Sequence, residues 1–366
     1  MQLFKCLNCS QLLHFEDREC VSCHSRLGYA AADCALYPVT DIGNGNWQPI
    51  QSTVTYQFCA NADFEACNWL VGADEGFRYC AACRYNRNIP DLSVGNNLMH
   101  WRKVERAKHH LFYSLLRMNL PLANRLDDPR MGLAFDFLAV PLLTARAGDK
   151  VMTGHDDGII TLNLVEADDA IRERRRVAMG EPYRTLLGHF RHETGHYFWD
   201  RLVAPTEQLL PFRARFGDET VDYDKALRLY YAKGPTQGWD ETFVSAYATA
   251  HPWEDFAETW AHYLHIVDTI EMASAYGLCI RPPVVDIETS HSTDRIDPYR
   301  EGTIGDIMTI WLPITLAVNS LSRCIGQPDF YPLVLSPAIV EKLGFIHELI
   351  RYHRVPAVEL TGMVTA

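Results

Sequence analysis

Apolar residues recur at helical spacing between positions 183 and 203. At 100° per residue Tyr183, Leu186, Phe190, Thr194 and Tyr197 fall on one stripe, which Leu187 and Phe198 widen. His189, His192, Glu193 and His196 fall on a neighbouring stripe, about 100° round by the helical period. This predicts a helix opened by Glu181-Pro182, with the proline suited to its first turn, and running to about Val203. A second amphipathic run covers 253–276. Trp253, Phe256, Ala257, Trp260, Tyr263, Leu264 and Val267 take one side, and Glu254, Glu258, His262 and His265 the other. Further helices are predicted at 223–232, 304–322 and 337–354, and from His100 through HWRKVERAKHHLFYSLLRMNL, whose basic face reads as solvated. GLAFDFLAV (132–140) and GIITLNLVEA (158–167) carry strand-type residues, with GHDDG (154–158) as a hairpin turn between KVMT and IITLNL. DIGNGNWQP (41–49) and NIPDLSVGNN (88–97) are rich in turn formers and read as linkers. Strands first and helices after predict an α+β fold.

Composition adds bounds. With 366 residues and 48% hydrophobic content the chain can bury one large core and carry one or two small modules. A net charge of -12 argues against nucleic acid as the partner. MQLFKCLNC lacks a basic segment followed by an apolar one, so no export signal is read. The most apolar stretch, IMTIWLPITLAV, is short and carries Pro313, so no membrane span is expected. A cytoplasmic protein is the expectation.

Nine of the eleven cysteines precede residue 84. Cys6-x-x-Cys9 and Cys20-x-x-Cys23 are paired knuckles, and two such turns make a closed four-thiolate zinc site. Their spacer SQLLHFEDRE suits a small β-hairpin, and His14 and His24 are alternative donors nearby. Cys59, Cys67, Cys80 and Cys83 form a looser second set, also read as zinc ligands, while Cys34 is left over. The modules expected are a zinc ribbon over 1–40, a second cysteine-rich zinc segment over 41–95 and a mostly helical domain with a small sheet over 96–366. Short segments gain folding free energy from zinc, so a structural role is expected for both sites. The first 50 residues are not basic, so a protein partner at the ribbon is favoured over nucleic acid.

GHFRHETGHYFWD contains His192-Glu193-x-x-His196. Histidines at i and i+4 on one helix face can share a metal, and a glutamate beside them can reach a metal-activated water. A third donor is required. Leu202 stands where a metzincin would have its histidine, which removes that class. The helix SAYATAHPWEDFAETWAHYLH supplies Glu254 and Glu258 at i and i+4, with Asp255 as the alternative donor. The H-x-E and P-C-x-x-C pair of zinc deaminases is absent.

H-E-x-x-H followed by E-x-x-x-E on a later helix resembles the gluzincin arrangement. EDFAE, with Tyr247 seven residues before Glu254, is similar to the lethal-factor type. The cysteine knuckles, CNWL, CAACRYNRNIPDL, HETGHYFWD and QPDFYPLVLSP together resemble the zinc-binding metallopeptidase family with an N-terminal zinc ribbon, over nearly the full length. The resemblance implies a zincin-like domain with Glu254 as third zinc ligand and Glu258 holding a zinc-bound histidine. It also implies Tyr247 as oxyanion donor and a peptide or protein as substrate. His189 is expected beside the site or facing substrate, and the strand 159–164 as an edge onto which an extended peptide could add. The competing reading is a scaffold whose zincs are all structural, with His262 or His265 closing the fourth position.

Overall fold

The computed structural model describes residues 1–139, 154–179, 184–281, 296–331 and 335–355. Val140, the KVMT segment, Glu181, Pro182, Tyr183 and residues 332–334 of QPDFYPLVLSP lie outside the described residues. The described residues pack as two units, one within 1–172 together with Val355 and one within 173–354.

In the first unit β1 (Phe4–Lys5) pairs antiparallel with β2 (Leu12–Leu13). This hairpin therefore wraps the first cysteine knuckle instead of lying between the two knuckles. A five-stranded sheet follows, in the order β3 (Arg26–Ala30), β4 (Ala35–Gly43), β5 (Asn46–Pro49), β6 (Tyr56–Phe58) and β7 (Leu70–Gly72). The expected linker at 41–49 is thus a β-hairpin. Asn44 and Gly45 turn it with φ of 55° and 76°, the pair of positive φ values that a tight two-residue hairpin turn requires. β4 also runs through residue 40, where a module boundary was expected.

After β8 (Asn86–Asn88), helix α1 (Asn97–Arg117) begins. Its basic face is solvated only in part: Arg106 is exposed, while Lys108 and Glu105 are fully buried as an ion pair at 2.8 Å and His109 is buried beside them. Phe15, Tyr29, Trp69 and Tyr113 join the cysteine-rich part to α1 in one aromatic cluster. β9 (Ala134–Leu138), β10 (Gly154–Asp156) and β11 (Ile159–Asn163) complete a four-stranded sheet in the order β10-β11-β9-β8. The hairpin at GHDDG is present, but its first three residues are strand and the turn is Asp157-Gly158. β11 pairs antiparallel with β10 and parallel with β9. Both its edges are taken, so it is not the free edge expected for strand addition.

Helix α2 (Asp169–Met179) crosses residue 172. The second unit is helical: α3 (Leu186–Leu202), α4 (Leu209–Phe216), α5 (Tyr223–Lys233), α6 (Pro252–Ala275), α7 (Ile304–Cys324) and α8 (Pro337–Tyr352). Thr185 caps α3 by accepting from the Gly188 N–H at 2.9 Å, later in the chain than the Pro182 start predicted. Pro313 sits inside α7 without ending it; the helix buries Ile307, Met308, Trp311 and Ile314, though its length and composition alone would suit a membrane span.

The core pair is α3 against α6. Phe190, Thr194, Tyr197 and Phe198 are buried as the periodicity predicts, as are Phe256, Ala257, Trp260 and Leu264, and the Phe198 ring stacks on Trp260 at 4.8 Å. The two backbones approach closely at Gly195, where a Cβ would lie 2.8 Å from Ala257 Cα and 3.2 Å from Trp260 Cβ. Gly195→Ala is therefore expected to push the helices apart at a cost of about 1–3 kcal/mol, read as a lower urea midpoint. An unchanged midpoint would mean the helices can separate freely there.

Candidate metal centre

α3 presents His192 and His196 one turn apart, and α6 brings Glu254 to them. The two Nε2 atoms are 3.2 Å apart, and Glu254 Oε2 lies 3.0 Å from His192 Nε2 and 3.5 Å from His196 Nε2. With metal–ligand bonds of about 2.0–2.1 Å, a tetrahedral edge is about 3.3–3.4 Å. The three atoms therefore outline one face of a zinc tetrahedron. Glu254 is 1% exposed, and its Oε2 is a buried oxygen with no hydrogen-bond partner, as suits an atom that faces a metal. Burial pushes this carboxyl up, but the charge of His196 and the contact with His192 outweigh it and hold it well below the usual range. Three donors that fit zinc are thus assembled. Among the described residues no fourth Cys, His, Asp or Glu donor joins the group.

Two of the three donors, His192 and Glu254, are held from behind by hydrogen bonds. His192 Nδ1 meets Glu258 Oε1 at 2.6 Å, and the Ser245 hydroxyl donates to Glu258 Oε2 at 2.6 Å. The Ala248 N–H donates in turn to Ser245 Oγ. A carboxylate so placed orients the imidazole and makes its other nitrogen a better ligand. Glu258→Gln is expected to weaken zinc binding about 10–100-fold, measured by competition with a chromogenic chelator; unchanged affinity would show that packing alone orients His192. The Trp253 ring lies 3.9 Å from the His196 ring, centroid to centroid, so Trp253 faces the donors instead of the core side predicted for it.

Glu193 is buried beside the histidines, and its Oε1 is 3.3 Å from His189 Nε2. Burial raises its pKa, but the His189 hydrogen bond and the neighbouring imidazole charges prevail and hold it at about 2. It is therefore a carboxylate at neutral pH. The Tyr247 ring centroid is 6.0 Å from that of His192. Asp255 points elsewhere: its Oδ2 is 2.6 Å from Lys342 Nζ in a buried pair. His262 and His265 are not donors either; their Nδ1 atoms meet the Tyr331 hydroxyl and the Arg191 guanidinium.

Two neighbours carry no sequence signal of the kind that marks the ligands. The Tyr223 hydroxyl, at the start of α5, donates to Glu254 Oε1 and leaves Oε2 facing the histidines. Burial and then the Glu254 charge push its phenol well above the ordinary value, so it remains a donor. Arg191, 2% exposed, ties α3 to Asp268 of α6, which also accepts from Tyr299. An arginine beside the histidine motif reads as surface until its partly buried carboxylate partner is seen.

The cysteines converge in two groups, Cys6, Cys9, Cys20, Cys23 and Cys59, Cys67, Cys80, Cys83, each with its sulfurs within 4.8 Å of one another. Cys6–Cys23, Cys9–Cys20 and Cys67–Cys80 are 3.7, 3.5 and 3.8 Å apart. Tetrahedral zinc thiolates need about 3.8 Å. His14 and His24 turn instead to Asp17 and Glu19 at the surface. Cys34 stands apart, near the Ala31 carbonyl.

The family described as "Putative zinc-binding metallo-peptidase" matches residues 97–349, and a zinc-ribbon domain family matches residues 3–94. The chain is similar to uncharacterized proteins of Mycobacterium bovis and of two strains of Mycobacterium tuberculosis. Each is 41% identical over 353 residues, covering 96% of this chain and 95% of the relative. No solved structure matches.

Proposed function

Because the chain belongs to the putative zinc-binding metallo-peptidase family, with a zinc ribbon in front, we propose that it is a gluzincin-type peptide-bond hydrolase. The observation that carries this is the meeting of three donors, His192, His196 and Glu254, with the buried Glu193 carboxyl beside them and no fourth protein donor among the described residues. A scaffold site has no use for a buried base and would close its fourth position. His192, His196 and Glu254 would hold zinc, which would supply Lewis-acid chemistry for activating water and polarising the scissile carbonyl. Glu193 takes the proton and returns it to the leaving amine. His189 fixes the Glu193 carboxylate, and Tyr223 and Glu258 fix Glu254 and His192. Tyr247 is the candidate donor to the developing oxyanion. The zinc ions proposed are one at this centre and one at each cysteine group, and the substrate is a peptide or protein.

The test is digestion of a peptide library with the zinc-loaded chain, followed by identification of new amino termini. Termini that disappear with a chelator and return with zinc are the expected result. An intact library after prolonged incubation with fully zinc-loaded protein would overturn the reading.

A further inference from the structure

The second cysteine group has a neighbour that the first lacks. His109, on α1 and beyond the stretch matched as zinc ribbon, is buried with its ring against the sulfurs. Its Nε2 lies 3.2 Å from Cys67 Sγ, 3.5 Å from Cys83 Sγ and 4.0 Å from Cys80 Sγ. With Zn–S of about 2.3 Å and Zn–N of about 2.0–2.1 Å, a tetrahedral N–S edge is about 3.6 Å. The three distances bracket that value, and Cys67–Cys80, at 3.8 Å, fits the S–S edge. His109 Nε2 therefore stands where the fourth corner of a tetrahedron on Cys67, Cys80 and Cys83 would be.

The rest of the ring is set for that role. His109 Nδ1 is 2.7 Å from the Glu105 carbonyl oxygen. A carbonyl only accepts, so Nδ1 carries a hydrogen, and Nε2 is the ring nitrogen turned to the sulfurs. The Glu105 carboxylate gives Oε1 to Lys108 Nζ at 2.8 Å and Asn86 Nδ2 at 2.9 Å, while its Oε2 accepts from the Cys83 thiol at 3.4 Å, which places it behind Cys83.

We propose that the second zinc is held by Cys67, Cys80, Cys83 and His109, and that Cys59 is a spare thiol that can take the histidine's place. Five donors thus serve four positions. The fourth bond runs to α1, so this ion ties the ribbon to the first helix of the segment matched as peptidase. The proposal does not depend on the catalytic reading of the α3–α6 centre.

The experiment compares zinc per chain by plasma mass spectrometry in wild type, Cys59→Ala, His109→Ala, the double variant and Cys67→Ala. Circular dichroism checks the fold of each. Cys59→Ala is expected to keep the wild-type count, His109→Ala to keep it through Cys59, and the double variant and Cys67→Ala to lose one zinc. Loss of one zinc in folded Cys59→Ala, or none in the double variant, would overturn the proposal. Because these counts would read the same with Cys59 bound and His109 spare, the unmodified chain decides between the two, whether or not Cys59→Ala folds. It is loaded with cadmium-113 and labelled with nitrogen-15 histidine. A one-bond cadmium–nitrogen coupling that vanishes in His109→Ala is expected, and its absence, with an all-sulfur cadmium shift at this site, would overturn the assignment.

Discussion

Glu193→Gln is expected to abolish turnover while leaving zinc in place. The side chain is 6% exposed and sits between His189 and the two histidine donors. Glutamine has nearly the same shape and can still meet His189, so the packing of α3 should survive. It cannot take a proton from water. Loss of a positioned general base costs about 10²–10⁴-fold in kcat. Glu193 is not one of the three converging donors, so zinc per chain should match wild type. Both quantities belong in one preparation: cleavage of a peptide found by the library digest, and metal content. Retained cleavage would remove Glu193 from the mechanism. Lost zinc would mean that Glu193 is a ligand, and the site would need a different base.

The parts of this site that were legible in sequence are those whose geometry is local. Histidines four apart on a helix face the same way whatever packs behind them, and Glu254 and Glu258 repeat that spacing opposite an apolar face. The paired cysteine knuckles are legible for the same reason. What stayed hidden depends on long-range packing. Tyr223 reaches Glu254 across 31 residues, with no periodicity linking them. His109 lies in a run of basic residues that reads as a wet helix face, until Glu105 and the cysteines are packed around it. The parallel pairings of β8 and β11 with β9 join strands distant in sequence. The 41–49 hairpin was hidden differently. Its Asn44-Gly45 signal is local, but it sits among so many turn formers that the segment reads as linker.

Glu254→Ala and Asp255→Ala should fail in different ways, although the two acids are adjacent. Glu254 gives one oxygen to Tyr223 and turns the other to His192 and His196. Its removal deletes one of three donors, and since a carboxylate behind a ligand is worth about 10–100-fold in affinity, the loss of a direct donor should exceed that. Zinc per chain should fall by one, toward the cysteine-bound remainder, with α6 still folded. Asp255 is fully buried against Lys342, with burial raising its carboxyl to about 7 against the pull of that ammonium. Removing it leaves Lys342 buried without its carboxylate, at a cost of about 3–5 kcal/mol, while the metal donors keep their places. Denaturant midpoint and zinc content measured on both variants therefore separate the two roles. A zinc loss in Asp255→Ala at temperatures where the chain is still folded would make Asp255 the metal ligand. An unchanged zinc count in Glu254→Ala would leave the α3 histidines without their third donor and remove the basis for a gluzincin site on this pair of helices.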